Sequence, residues 1–133
     1  MMSKVSYLGD LRTKAVHIKS GDTIITDAPV DNEGKGEAFS PTDLVATSLA
    51  SCILTIMGIV AKRDNICLKG TEAEVDKIMS AKPRRINEIR IKIIFNKNFD
   101  KNVSNKLEKA ALSCPVKGSL SRDLKKNISF IYP

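Results

Sequence analysis

Hydrophobic and polar positions change their period along the chain, and each change predicts an element. Residues 4–8 alternate weakly, and Ala15-Val16-His17-Ile18-Lys19 then runs through Ser20-Gly21-Asp22 into Thr23-Ile24-Ile25-Thr26. Two β-branched runs across a glycine-containing turn predict a hairpin. Residues 27–39 carry one proline and two glycines and read as a long loop. Loops of that length in a compact domain are usually functional or mobile.

The strongest local signal follows. Ser40-Pro41-Thr42-Asp43 is a serine N-cap, a proline at the first helical position and an acid three residues after the cap. Residues 44–61 then pass without a charge, and Lys62-Arg63 close the helix on its negative pole. Such a stretch stands at the threshold for a membrane span. Its four hydroxyls (Thr47, Ser48, Ser51 and Thr55), its glycine and its alanines argue instead for a core helix with no membrane role. A chain of 133 residues can hardly surround a helix apolar on all sides. A second copy is therefore expected to cover part of it, in an obligate homodimer.

Beyond the helix, residues 71–79 alternate as a strand through Ala73 and Val75. Residues 86–95 are the clearest strand, with Ile89, Ile91 and Ile93 on one face. Asp100 caps a helix predicted over 101–113, with Val103, Leu107, Ala110 and Ala111 at helical spacing. Cys114-Pro115 ends it, because the residue before proline is pushed out of the α region. A short helix over 116–124 and a strand over 128–132 complete the chain. The order predicts one domain over residues 1–133, of α+β class, with an antiparallel sheet packed on a long central helix.

Composition narrows the chemistry. Aromatic residues make up 5% of the chain and tryptophan is absent, so the core must be aliphatic. The net charge of +7 reads as a lysine-rich solvated surface rather than a nucleic-acid site. Its denser spots, Lys82-Pro83-Arg84-Arg85 and Lys125-Lys126, lack interleaved aromatics and lie in no helix-turn-helix or RNP-like pattern. The three cysteines include no C-x-x-C pair, which disfavours a disulfide scaffold and a zinc knuckle alike. The single histidine, His17, is expected on a strand surface and supports neither a metal site nor a Cys–His nucleophile. No cofactor or metal is expected. The first residues lack the apolar core of a signal peptide, so a reducing cytoplasm is expected, where paired cysteines are more often catalytic than structural. Cys52 and Cys114 are the candidates. Cys67, between Ile66 and Leu68, is expected to be a structural residue of an apolar run.

The run Ser40-Pro41-Thr42-Asp43-Leu44 leading to Ala50-Ser51-Cys52, with Cys114-Pro115-Val116 following, resembles the OsmC/Ohr family over nearly the whole chain. The resemblance implies the OsmC-like fold, an intertwined homodimer, and an antioxidant peroxidase acting on organic hydroperoxides under oxidative stress. It implies that Cys52 attacks the peroxide and becomes a sulfenic acid, that Cys114 resolves it as a disulfide, and that a dithiol or a lipoyl-bearing protein restores both thiols. The thiolate is the nucleophile in such chemistry. Cys52 lies near the middle of its helix, too far from the N-terminus for the dipole to activate it. The family uses an arginine from the N-terminal β region, a role Arg12 fits. A guanidinium there also stabilises the developing alkoxide. In the family, a carboxylate directly after the helix proline holds that arginine; here the position is Thr42. Glu37 and Asp43 are the alternative partners for Arg12. This departure motivates a second expectation, an OsmC-fold ligand-binding or redox-sensing dimer with little peroxidase turnover.

Overall fold

The computed structural model describes residues 1–133, which divide into two compact units, Met1–Val45 and Ala46–Pro133. In the first, β1 (Ser3–Gly9), β2 (Arg12–His17) and β3 (Thr23–Asp27) form an antiparallel sheet in that order. The turn between β1 and β2 is tight: Gly9, Asp10 and Leu11 all have positive φ, a region that side chains other than glycine rarely adopt. It starts β2 at Arg12. The β2–β3 register then sets Arg12 opposite Asp27.

The segment predicted as a loop folds back on itself. A 3₁₀ turn over Val30–Asn32 is followed by backbone bonds from Gly34 N–H to Pro29 and from Gly36 N–H to Ala28. The Asp27 N–H donates to the Phe39 carbonyl and the Ala28 N–H to that of Leu11, which ties both ends to the sheet. Gly34 is required here, since a Cβ would stand 1.7 Å from the Ala28 oxygen. The chain then enters α1 (Pro41–Arg63) through the expected capping box. The Asp43 N–H donates to Ser40 Oγ at 3.0 Å and the Ser40 N–H to the Asp43 carboxylate at 2.8 Å.

In the second unit β5 (Arg84–Ile94) lies between β4 (Glu72–Ala81) and β6 (Lys125–Ile131), antiparallel to the first and parallel to the second. The single antiparallel sheet expected from the sequence is thus two three-stranded sheets, one of them mixed. The crossover from β5 to β6 runs through α2 (Lys101–Leu112) and α3 (Pro115–Ser119), and a crossover of that length permits parallel pairing.

Alternation along β5 buries Ile89, Ile91 and Ile93 while Arg90 and Lys92 stay exposed. These isoleucines share one core with Leu49, Ile53 and Met57 of α1, Leu107 and Ala111 of α2, and Phe95. Phe95 also stacks on Tyr132, with centroids 4.5 Å apart. The α1 residues in this core, among them Ala46, Leu49, Ala50, Ile53, Met57 and Ala61, trace one stripe at helical spacing. The chain by itself covers only this side of the helix. By length and composition α1 could cross a bilayer, yet Ser48, Ser51, Thr55 and Ile59 lie exposed on its other side. On β5, Glu88 is buried but braced by Arg90 and, at 3.2 Å, by Lys125. Burial opposes ionisation of its carboxyl, and the hydrogen bonds from these cations outweigh it and lower the pKa.

Removing a fully buried side chain from this seam should be costly. Leu49→Ala is expected to lose about 2–5 kcal/mol of unfolding free energy. Asp100→Ala, which deletes the 2.9 Å cap bond to the Val103 N–H, should lose about 1 kcal/mol. Urea denaturation of the two variants beside the wild type measures both, and equal losses would contradict the assignment of Leu49 to the core.

Candidate active site

Cys114 sits where α2 gives way to α3. Pro115 cannot continue α2 but suits the first position of a new helix, so Cys114 becomes the N-cap of α3 with non-helical backbone. Its side chain turns inward, 2% exposed, and Sγ accepts the Lys117 N–H at 3.5 Å. Cys52 lies on α1 beside the buried Ile53, at the edge of the apolar stripe, where it is half-buried and packs against the core that includes Cys114. Cys52 is close enough to act on the Cys114 thiol. Residues 62 positions apart in the sequence therefore converge within a single unit of one chain.

Burial, and then the neighbouring Cys52 thiol, push the Cys114 thiol above the ordinary range for cysteine, more than the Lys117 N–H lowers it. Cys114 is thus a protonated thiol at neutral pH. Cys67 is exposed, not enclosed in an apolar run as expected. It precedes the turn at Gly70, where Asn96 holds the carbonyls of Cys67 and Lys69 and leaves the side chain outside. His17 lies on the strand surface, its Nδ1 2.6 Å from Ser20 Oγ.

In the first unit Arg12 makes a two-point ion pair with Asp27: Nε to Oδ1 at 2.7 Å and Nη2 to Oδ2 at 2.8 Å. Nη2 also meets Glu37 Oε2 at 3.2 Å, and the Glu37 N–H donates to Asp27 Oδ2 at 3.1 Å. Asp27 is 1% exposed, whereas the Glu37 side chain is 67% exposed. The hydrogen bonds from Arg12 hold the Asp27 carboxyl below the usual carboxylate range, and the pair raises the arginine further above its own. Of the two carboxylates expected at Arg12, Glu37 reaches it, and Asp43 serves the α1 cap. Asp27 escaped the sequence reading because Asp27-Ala28-Pro29 looks like the start of a loop. The signal was in the hairpin register: pairing Val16 with Thr23 across the turn also sets Arg12 opposite Asp27.

Comparison with known proteins adds the following. Residues 34–129 match the family model described as OsmC-like protein. A search of the curated proteins finds no match. A crystal structure from Psychrobacter arcticus 273-4, of a protein named for osmotic stress induction and a detoxification response, is 54% identical with a TM-score of 0.95. That match covers 98% of this chain and 95% of the other. The organic hydroperoxide resistance protein OsmC of Legionella pneumophila is 16% identical, with a TM-score of 0.76 over 98% of this chain and 97% of its own. The organic hydroperoxide resistance protein OhrB of Bacillus subtilis is 17% identical, with a TM-score of 0.66 over 98% of each chain. These last two share the α+β fold.

The lowered Asp27 carboxyl fixes the sign of one pH effect. A group whose pKa is lower folded than unfolded contributes stability above its unfolded value, about 3.9 for aspartate, and loses it as pH falls toward the folded value. The melting temperature should therefore fall in acid through that window, and Asp27→Asn should flatten this part of the profile. A variant profile parallel to the wild type between pH 5 and 2 (an interval set by about two units around that reference) would count against the pair.

Proposed function

The chain belongs to the OsmC-like family, and we propose that it is a cysteine-based reductase of organic hydroperoxides. The observation that carries this reading is the meeting of a half-exposed thiol, Cys52, with a buried and protonated one, Cys114. The two relatives of low identity named for organic hydroperoxide resistance support it.

In the proposed cycle the Cys52 thiolate attacks the terminal peroxide oxygen. The O–O bond breaks, an S–O bond forms, and the alkoxide leaves and takes up a proton as the alcohol. Cys52 is then a sulfenic acid. Cys114 attacks its sulfur, water departs, and a Cys52–Cys114 disulfide remains. A dithiol, free or carried as lipoyl on a protein, reduces it and is itself oxidised to a disulfide. Arg12 has the role of the cation that favours the Cys52 thiolate and the developing alkoxide. The working form in this proposal is a cytoplasmic homodimer without metal or cofactor, with no role at nucleic acid or membrane.

A second reading is favoured by one observation: Arg12 already meets two carboxylates, which compensate its charge. In that reading the chain is an OsmC-fold redox sensor or ligand binder, whose cysteine pair oxidises without turnover.

Consumption of cumene hydroperoxide with dihydrolipoamide as reductant tests the proposal. Wild-type protein is expected to turn over. Cys52→Ser should fall to background, and Cys114→Ser should consume one equivalent and stop at the sulfenic acid. Full activity in Cys52→Ser would end the peroxidase reading. An intramolecular disulfide formed without turnover would establish the second one.

A further inference from the structure

The two carboxylates that meet Arg12 are built differently. Asp27 is buried, faces Arg12 across the β2–β3 register, and takes Nε and Nη2 together. A two-point bond between two planar groups fixes the direction and the rotation of the guanidinium. Breaking it would leave an unpaired charge in a buried position, which is strongly unfavourable. Glu37 meets Nη2 alone among the guanidinium nitrogens paired here, at a longer distance and from an exposed side chain. An exposed ion pair of this kind contributes little, because water solvates the carboxylate as it leaves. The main chain of Glu37 is anchored separately, its N–H bonded to Asp27 Oδ2. The side chain can therefore swing away while the loop stays in place.

We infer that Asp27 is the positioning residue that fixes Arg12, and that Glu37 is a displaceable partner whose place at Nη2 passes to the negative charge of the reaction. The inference rests on the reading of Arg12 as the cation of a thiol peroxidase. It gives the departure at Thr42 a physical answer: the carboxylate that aims the guanidinium comes from β3 instead of from the start of α1. The remaining charge facing Asp27 is Lys35, which acts on it through space.

Two readouts test this on the full-length protein: kcat/KM for cumene hydroperoxide, and the pH profile of Cys52 carboxymethylation followed by mass spectrometry. Asp27→Asn is expected to lower kcat/KM on the order of tenfold to a hundredfold and to move the profile to higher pH, as Arg12→Ala does. The double variant should be no worse than Arg12→Ala, because Asp27 acts through Arg12. Glu37→Gln should raise kcat/KM. A wild-type profile in Asp27→Asn or in Arg12→Ala overturns the inference, as does a loss in Glu37→Gln equal to that in Asp27→Asn. Should Asp27→Asn fail to fold, Arg12→Lys keeps the charge but not the two-point bond; a loss close to that of Arg12→Ala supports the inference and wild-type behaviour overturns it. If the wild type shows no hydroperoxide turnover, the peroxidase reading fails, and carboxymethylation still decides whether Asp27 acts on Arg12.

Discussion

An isoleucine-faced strand and an aliphatic helix stripe have to leave water together, and the arrangement of the second unit follows from that burial. Ile89, Ile91 and Ile93 of β5 meet Leu49, Ile53 and Met57 of α1 in one core, closed by Leu107, Ala111 and Phe95. The core is not purely aliphatic as composition suggested: Phe95 is fully buried against Phe99, Phe130 and Tyr132, so ring packing sets the geometry together with aliphatic volume. Cys52 neighbours Ile53 but sits off the centre of the stripe, so the same packing that buries Ile53 leaves the thiol half open. Leu107 and Ala111 draw the end of α2 onto the core and bring Cys114 with it. The two cysteines share one core because hydrophobic surfaces on three elements meet there.

Electrostatics separates the roles of the buried polar groups. Asp27 and Glu88 are both carboxylates withdrawn from water, and both stay ionised because cations are fixed against them: Arg12 in one case, Arg90 and Lys125 in the other. Cys114 is withdrawn to a similar degree but faces a neutral thiol and backbone N–H groups, and its thiol keeps its proton. Burial therefore produces anions in two places and a neutral thiol in a third. Such a thiol has to give up its proton before it can attack another sulfur, because the thiolate is the nucleophile.

Parts of the +7 charge that looked like uniform surface lysine prove to be structural. Arg12, Arg90 and Lys125 each complete a buried carboxylate. Such pairs specify register, because a one-residue slip of β2 against β3 would carry Arg12 away from Asp27 and to the opposite face.

The sequence by itself determined the local structure: the Ser40 capping box, the 3.6-residue spacing of α2, the period-2 isoleucines of β5, the Asp100 cap and the break at Cys114-Pro115. Each depends on neighbours a few residues apart, so backbone sterics and helix or strand periodicity suffice to read it. It also marked Cys52, Cys114 and Arg12, through the motifs around them and the family resemblance these carry. Tertiary structure decided what depends on distant partners: the division into two sheets, the parallel pairing of β6, the exposure of Cys67, the polar side of α1, and the choice of Asp27 as the main anchor of Arg12. Pairing and burial are set by which surfaces meet across the chain, and composition does not carry that information. A carboxylate at the edge of a predicted loop looks the same in sequence whether it faces water or a guanidinium. Only the strand opposite distinguishes them.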